Sequence, residues 1–356
     1  MIMKIKKLFP IYAIILVSLT FLYVLFAIKP LGKEYQFSPV WKISTSNPTI
    51  KELPEDAKKL YFHLGQTMGY FSEDGDISLF RSFPSKVAIS DSHYAVYNTQ
   101  AGNIPFYNNK GDELGIINTY GFPYFKDDLI FVMLPGGCSF AKCDETGNVV
   151  WTYEGTLPIT AFSAKEKYTA VGFTNGYIKV FNNESGTLET TYAPGGSDFP
   201  VILGLDISDD GQYIASISGH NQQRFVLSHR EKNQQKIIYH KFLNTELPYR
   251  TLVHFCKDNN RIIYNYENYL GIYNISEERN TIIPVKNKII SMEESDDIVY
   301  LLSKDKNNYT VYLVENTDAL EGQFSFTADS AFIKTDGNNL YVGKDNSISR
   351  ISVTKE

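Results

Sequence analysis

An all-β fold, a β-propeller of eight four-stranded blades with seven as the alternative count, is what this sequence predicts. Three observations lead there. First, glycine-marked turns recur at Gly75 ("FSEDGDISLF"), Gly111 ("YNNKGDELGI"), Gly147 ("CDETGNVVWT") and Gly186 ("NNESGTLETT"), each between a short apolar run and a second alternating run. Second, each such hairpin is preceded by two more strand-like runs, such as "KVAIS" and "YAVYN" before Gly111 or "ITAFS" and "YTAVGF" before Gly186. Third, beyond residue 35 there is no convincing long stripe of apolar residues at i, i+3, i+4 and i+7, the pattern a helix needs. Four-stranded units of roughly 40–50 residues are the signature of a propeller, in which radially stacked sheets cover one another's faces.

Each element has its local reason. Glycine suits the left-handed turn position because it lacks a Cβ. Later units keep the rhythm with asparagine near the turn, Asn233 in "RFVLSHREKNQQKIIYH" and Asn280 in "LGIYNISEERNTIIPV"; asparagine tolerates positive φ better than most residues. "YTVYLVENTDALEGQFSF" is a seventh copy, and "SISRISV" begins an eighth. Residues 60–82 supply three strands and residues 331–353 three more, so eight blades result if "WKIS" pairs into the last sheet. Strands from both ends would then close the ring and remove two exposed edges. The leading strands of each unit are expected to be the more apolar, as in "AVGF", "IASIS" and "IIYNY".

The chain is expected to divide into a basic cytoplasmic amino terminus at 1–7, a membrane-spanning signal-anchor helix at 8–28, a linker at 29–58 with an early strand, and the propeller at 59–356. Leu8–Ile28 runs without a charge through Pro10, Ile15, Leu19, Phe21 and Leu25. A helix of that length spans about 30 Å, enough for a bilayer core. Its end, "VLFAIKPLG", is a poor cleavage site, and no cysteine follows for a lipid anchor. The basic residues favour a cytoplasmic amino terminus and a large domain in the periplasm or outside the cell.

Composition narrows the function. The chain has 34 Lys+Arg and 40 Asp+Glu. Five of the lysines lie in residues 1–33 with no acid, leaving 29 basic against 40 acidic residues, or −11, for residues 34–356. So acidic a domain is repelled by phosphate backbones, and no nucleic-acid partner is expected. Cys138, Cys143 and Cys256 are not a disulfide framework; they read as buried thiols, with Cys138 and Cys143 on one strand facing opposite ways.

Catalytic grammar is lacking. The six histidines form no His-x-His or His-x-x-x-His pair. His220 and His229 read as solvated or satisfied, His63 and His254 as strand residues that pack. "DISDDG" (206–211) lacks the register of a calcium loop and reads as a turn. "LPGGCSF" and "APGGSDFP" are followed by no Gly-Lys-Ser/Thr and read as turns or channel-facing loops. Carboxylate pairs such as Asp127/Asp128 and Asp296/Asp297 fall at predicted turns. No catalytic residue, cofactor or metal ligand is assigned.

"GLDISDDGQYIASISG" (204–219) and "AVGFTNGYIKVFNNESGTLETTY" (170–192) resemble the WD40-type repeat, and "CDETGNVVWTYEG" (143–155) resembles the repeat of pyrroloquinoline-quinone-type propellers. With only Trp41 and Trp151, and no adjacent cysteine pair, the chain departs from the quinone enzymes of that family. In layout it is similar to the non-enzymatic outer-membrane assembly propeller of Gram-negative bacteria. These resemblances imply fold strongly and function weakly. The expected function is an anchored, non-catalytic protein-binding scaffold. The aromatic stretch 118–125, with Tyr120, Phe122 and Tyr124, is the candidate partner surface. The alternative is an enzyme or sensor taking a glycan or peptide in the central channel.

Overall fold

The computed structural model describes residues 16–23, 34–98, 102–232, 234–246, 249–295, 298–315 and 318–355. Residues 60–355, with the strand Tyr35–Ser44, form eight sheets that follow one another around a ring. Blades 2 to 7 each take four consecutive strands, beginning with the inner strands Lys86–Ile89, Phe122–Lys126, Ile159–Ala164, Ile202–Ile207, Val253–Phe255 and Lys288–Glu294. Blade 8 is built of Ala331–Asp336, Asn339–Lys344, Ser347–Lys355 and, as its outer strand, Tyr35–Ser44. The ladder runs from Tyr35↔Lys355 to Ser44↔Ser347 and includes the predicted pairing of "WKIS". The early strand is therefore longer than expected and belongs to the propeller rather than to a linker.

Blade 1 has three strands, Leu60–Leu64, Thr67–Phe71 and Ile77–Ser82, plus a parallel bridge from Ile50 to Ile77 on its outer edge. Its Gly75 turn matches the turns between third and fourth strands elsewhere, so the absent member is the inner strand. Leu60–Leu64 therefore stands at the channel and runs opposite to the inner strands of the other blades. Gly65 at its end donates its N–H to Ser330 Oγ (3.0 Å), at the start of blade 8's inner strand.

The turn chemistry explains the repeat. Gly75, Gly111, Gly147 and Gly186 all have positive φ (87°, 97°, 93° and 71°). In three of these turns an Asx side chain caps the backbone: Asn108 Oδ1 accepts from Lys110 N and Asp112 N, Asp144 Oδ1 from Thr146 N and Asn148 N, and Asn182 Oδ1 from Glu184 N and Ser185 N. The later turns differ from expectation. Positive φ falls on Lys232, Glu278 and Asp318; Asn280 lies in a strand, where its Oδ1 accepts from Tyr264 OH, and Asn233 is outside the described residues.

The core lies between blades, and in most sheets its most buried strands are the second and third; in blade 5 the inner strand Ile202–Ile207 is buried throughout. "YTAVGF", "YIASIS" and "RIIYNY" are buried almost throughout, whereas outer strands such as Val149–Tyr153 alternate with solvent. The runs expected to be the more apolar, "AVGF", "IASIS" and "IIYNY", are buried, but as second strands covered on both faces rather than as strands beside the channel; most inner strands turn one side to the channel. Cys143 and Cys256 are buried, and burial pushes the Cys143 thiol up to about 11. Cys138 is only partly buried and sits in the turn before Phe140–Cys143, not on that strand.

The membrane anchor is also corrected. Among the described residues no helix is long and apolar enough to cross a membrane. The described residues 16–23 are helical and include the exposed Leu19 and Phe21. Leu8, Pro10, Ile15, Leu25 and Ile28 lie outside the described residues. The single-pass anchor, the membrane partner and the topology inferred from them do not carry forward.

Candidate functional site

Because every inner strand faces the axis, side chains far apart in sequence meet in the channel. At the mouth where the inner strands of blades 2 to 8 end, a cavity of about 710 Å³ takes residues from all eight blades. In order round the ring these include Tyr61, Asp91, Lys126, Lys165, Asp209, His254, Glu293 and Lys334. Four lysines and six carboxylates line it.

The charges are largely matched. Lys334 Nζ lies 3.2 Å from Glu293 Oε1 and 3.6 Å from Asp91 Oδ2, and stands 3.9 Å over the Tyr61 ring. Asp91 Oδ1 also accepts the Tyr61 N–H, on the edge left open by the absent inner strand. Lys165 pairs with Asp209 at 2.9 Å. Burial disfavours the Lys165 ammonium, but Asp206 and Asp209 outweigh it and hold its pKa above the ordinary value. Burial alone would raise Asp209; Lys165 and Asn259 hold it below.

His254 does not pack as expected. It stands between Asp206 (Nδ1–Oδ2 3.4 Å) and Glu294 (Nε2–Oε2 3.8 Å), linking blades 5, 6 and 7. Asp206 is held rigidly: Oδ1 accepts from Ser163 Oγ and Ile207 N, and Oδ2 accepts from Phe255 N at 2.7 Å. Glu294 accepts the Lys257 N–H with both oxygens at 3.0 Å. Ser163 is thus bonded to the acid and not to the imidazole, so the row lacks the hydroxyl–base contact that activates a nucleophile. The row, with Ser163, knits four neighbouring blades together, 4 to 7.

The Lys334 cluster gives a pH signature. Burial raises the Glu293 carboxyl above its ordinary 4.5 despite Lys334, so its contribution favours the fold below 4.5 and is lost as pH rises through the folded value. Burial opposes the Lys334 charge, yet Glu293, Tyr61 and Asp91 lift its pKa above 10.5; its contribution is present below 10.5 and lost as pH rises through the folded value. Lys334→Met drives Glu293 higher still. Its destabilisation is expected to be small at pH 4 and to grow to about 2 kcal/mol at pH 8, less than the roughly 3–5 of a fully buried broken pair. Urea midpoints at the two pH values check this; an equal deficit at both refutes it.

Below the mouth the channel continues as a cavity of about 510 Å³ bounded by Tyr124, Phe162, Arg250 and Lys288, then one of about 230 Å³ at the opposite end, which shares Tyr124, Phe162 and Arg250. The predicted aromatic stretch is therefore divided. Tyr124 lines the channel, edge-on to Phe162 at 5.4 Å. Tyr120 (59% exposed) and Phe122 (42%) lie at the other end of that strand, on the outer face. Phe122 meets Tyr97 at 6.4 Å, and the Tyr120 ring covers Gly102.

The same outer face carries further exposed apolar residues in the loops of blades 3 to 5: Leu157, Tyr177 and Phe199, the last 62% exposed. Phe242 continues the arc beside a groove of about 780 Å³. His220 lies here against Phe199, while His229 stacks on Tyr213 towards the other face, so the two form no joint site. Gly137 lines the channel, as expected for one of the glycine-rich loops. Asp127 and Asp128 are turn acids that line the mouth, and Asp296 and Asp297 lie outside the described residues.

A family model described as a beta-propeller protein matches residues 3–356. The chain belongs to that beta-propeller family. The chain is 25% identical over 342 residues, 93% of its own length and 90% of the relative's, to an uncharacterized protein of Treponema pallidum (strain Nichols). In structure it is similar to BamB from Moraxella catarrhalis, with a TM-score of 0.61 and 12% identity over 89% of this chain and 98% of that one. It is also similar to the computationally designed Ika8 protein, with a TM-score of 0.60 and 13% identity over 84% and 97% of the two chains. At such identities the structural likeness concerns the fold.

Sequence reasoning missed Lys165, Lys334, Arg250 and Lys288. A usable signal for Lys165 lay in the polar residues that follow the inner strands of blades 2 to 5 (Ser90-Asp91, Asp127-Asp128, Lys165, Ser208-Asp209), which mark the mouth once the blade register is known; Arg250, Lys288 and Lys334 carry no such mark.

Proposed function

We propose that this propeller is a non-catalytic protein-binding platform that docks its partner on the outer face of blades 3 to 5. The observation that carries the reading is the arc Tyr120, Phe122, Leu157, Tyr177, Phe199 and Phe242, large apolar side chains 40–62% exposed on one face. Aromatic side chains of this kind supply interface anchors, and contiguous exposed apolar surface marks interaction sites. The fold likeness to BamB from Moraxella catarrhalis is in keeping with such a platform. The channel mouth gives less support to an enzyme or sensor acting on a glycan or peptide, since all of its acids except Asp128 are engaged by lysines, His254 or backbone N–H groups.

The test is site-specific photocrosslinking in cells, with the photoreactive residue at position 120 or 199 and, as control, at Glu145 in an outer-strand turn of the opposite face. A discrete adduct at 120 and 199, lost in Phe122→Ser with the thermal midpoint unchanged, is the expected result. Adducts only at 145, or none at any position, overturn the reading.

A further inference from the structure

The middle of the channel opposes the charge of the domain around it. Four cations line the 510 Å³ cavity, Lys126 and Lys165, which pair with the mouth acids Asp127 and Asp209, and Arg250 and Lys288, against a single lining carboxylate, Asp206. That carboxylate is 5% exposed and both its oxygens are taken, by Ser163, two backbone N–H groups and His254. Arg250 and Lys288 are exposed to the channel, and among the described residues neither has an acidic partner. Lys288 lies instead 4.4 Å over the Tyr249 ring, and Arg250 works against the upward push of burial on the Tyr124 phenol. Cations of one sign between low-dielectric walls focus a field that draws in anions. A guanidinium presents the fork that pairs with a phosphate or carboxylate. The volume falls within the roughly 300–1,000 Å³ of small-ligand sites, and Tyr124 and Phe162 supply an apolar wall.

We propose that this cavity binds a small anion bearing two or more oxyanion groups, a phosphate ester or a polycarboxylate, held by Arg250 and Lys288. The ligand enters through the charged mouth, where Lys126 and Lys165, shared between mouth and cavity, lead inward past the acids. The site is independent of the docking arc, which lies on the outer surface, so either reading can fail alone.

Isothermal titration of the full chain with pyrophosphate and, separately, citrate, in chloride buffer of low ionic strength, tests it. One-to-one binding of at least one probe is expected, weakened about tenfold or more by Arg250→Ala and by Lys288→Ala. Tighter pyrophosphate binding identifies phosphate esters as the class, tighter citrate binding polycarboxylates. Both side chains are exposed, so the variants should keep the wild-type thermal midpoint and circular dichroism. No binding of either probe, or unchanged binding in the double variant, overturns the proposal.

Discussion

A chain that begins at Thr45 is expected to lose its cooperative fold, whereas one that begins at Glu34 keeps it. The strand Tyr35–Ser44 contributes more than a ladder to Ser347–Lys355. Trp41 and Ile43 pack onto the cluster joining blades 1 and 8, where Trp41 lies 5.9 Å from the Tyr341 ring and donates Nε1–H to Glu73 O at 3.1 Å. Phe37 meets Phe324 edge-on at 5.4 Å, and Tyr35 OH donates to Glu315 at 2.7 Å, both on blade 7. Four large apolar side chains at about half of their full-burial value of roughly 1.5–3 kcal/mol, plus the ladder, come to on the order of 5 kcal/mol. That is comparable with the total stability of many domains, about 5–15 kcal/mol. Truncation also bares the edge of Ser347–Lys355, which invites association. Urea unfolding followed by near-ultraviolet circular dichroism decides it: a truncated chain with the wild-type midpoint and signal shows that closure is dispensable.

The second large effect is expected at Phe140. Its ring is fully buried and lies 5.3 Å from Phe162, 5.5 Å from Trp151 and Phe181, 5.6 Å from Tyr153 and 6.1 Å from Phe131, tying blade 3 to blade 4. Edge-to-face pairs add to the area term. Phe140→Ala opens a cavity whose walls belong to two sheets and cannot both collapse inward. A loss of about 3–5 kcal/mol is expected, with a fall in Tm of roughly 6–15 °C. Phe140→Leu keeps most of the volume and should cost clearly less. Calorimetric midpoints within a degree of wild type for Phe140→Ala would remove the inter-blade core from this account.

The architecture was legible for a local reason. Gly111, Gly147 and Gly186 with their Asx partners three or four residues earlier specify turns whose chemistry lies within a few residues. The later turns were found by rhythm but mis-assigned in detail, because Lys232 and Glu278 take the left-handed conformation in the turns where asparagine was expected. The apolar segment at 8–28 was read from hydropathy alone, and no described helix is long enough to realise a span. At the candidate site the aromatic stretch 118–125 was recognised, but its division between outer face and channel was not.

What the sequence by itself determined is the repeat of hairpins, the closure of the last sheet by residues 41–44 and the acidity of the domain, since each follows from neighbours along the chain or from composition. What only the tertiary structure decided is the lining of the channel: Lys334 against Glu293 and Asp91, His254 between Asp206 and Glu294, and the cationic interior of Arg250 and Lys288. Those groups come from separate blades, tens of residues apart, and radial stacking alone sets which of them meet. Local preference reaches only a few residues along a strand, whereas the distance between two charges across an axis depends on the closing of the whole ring.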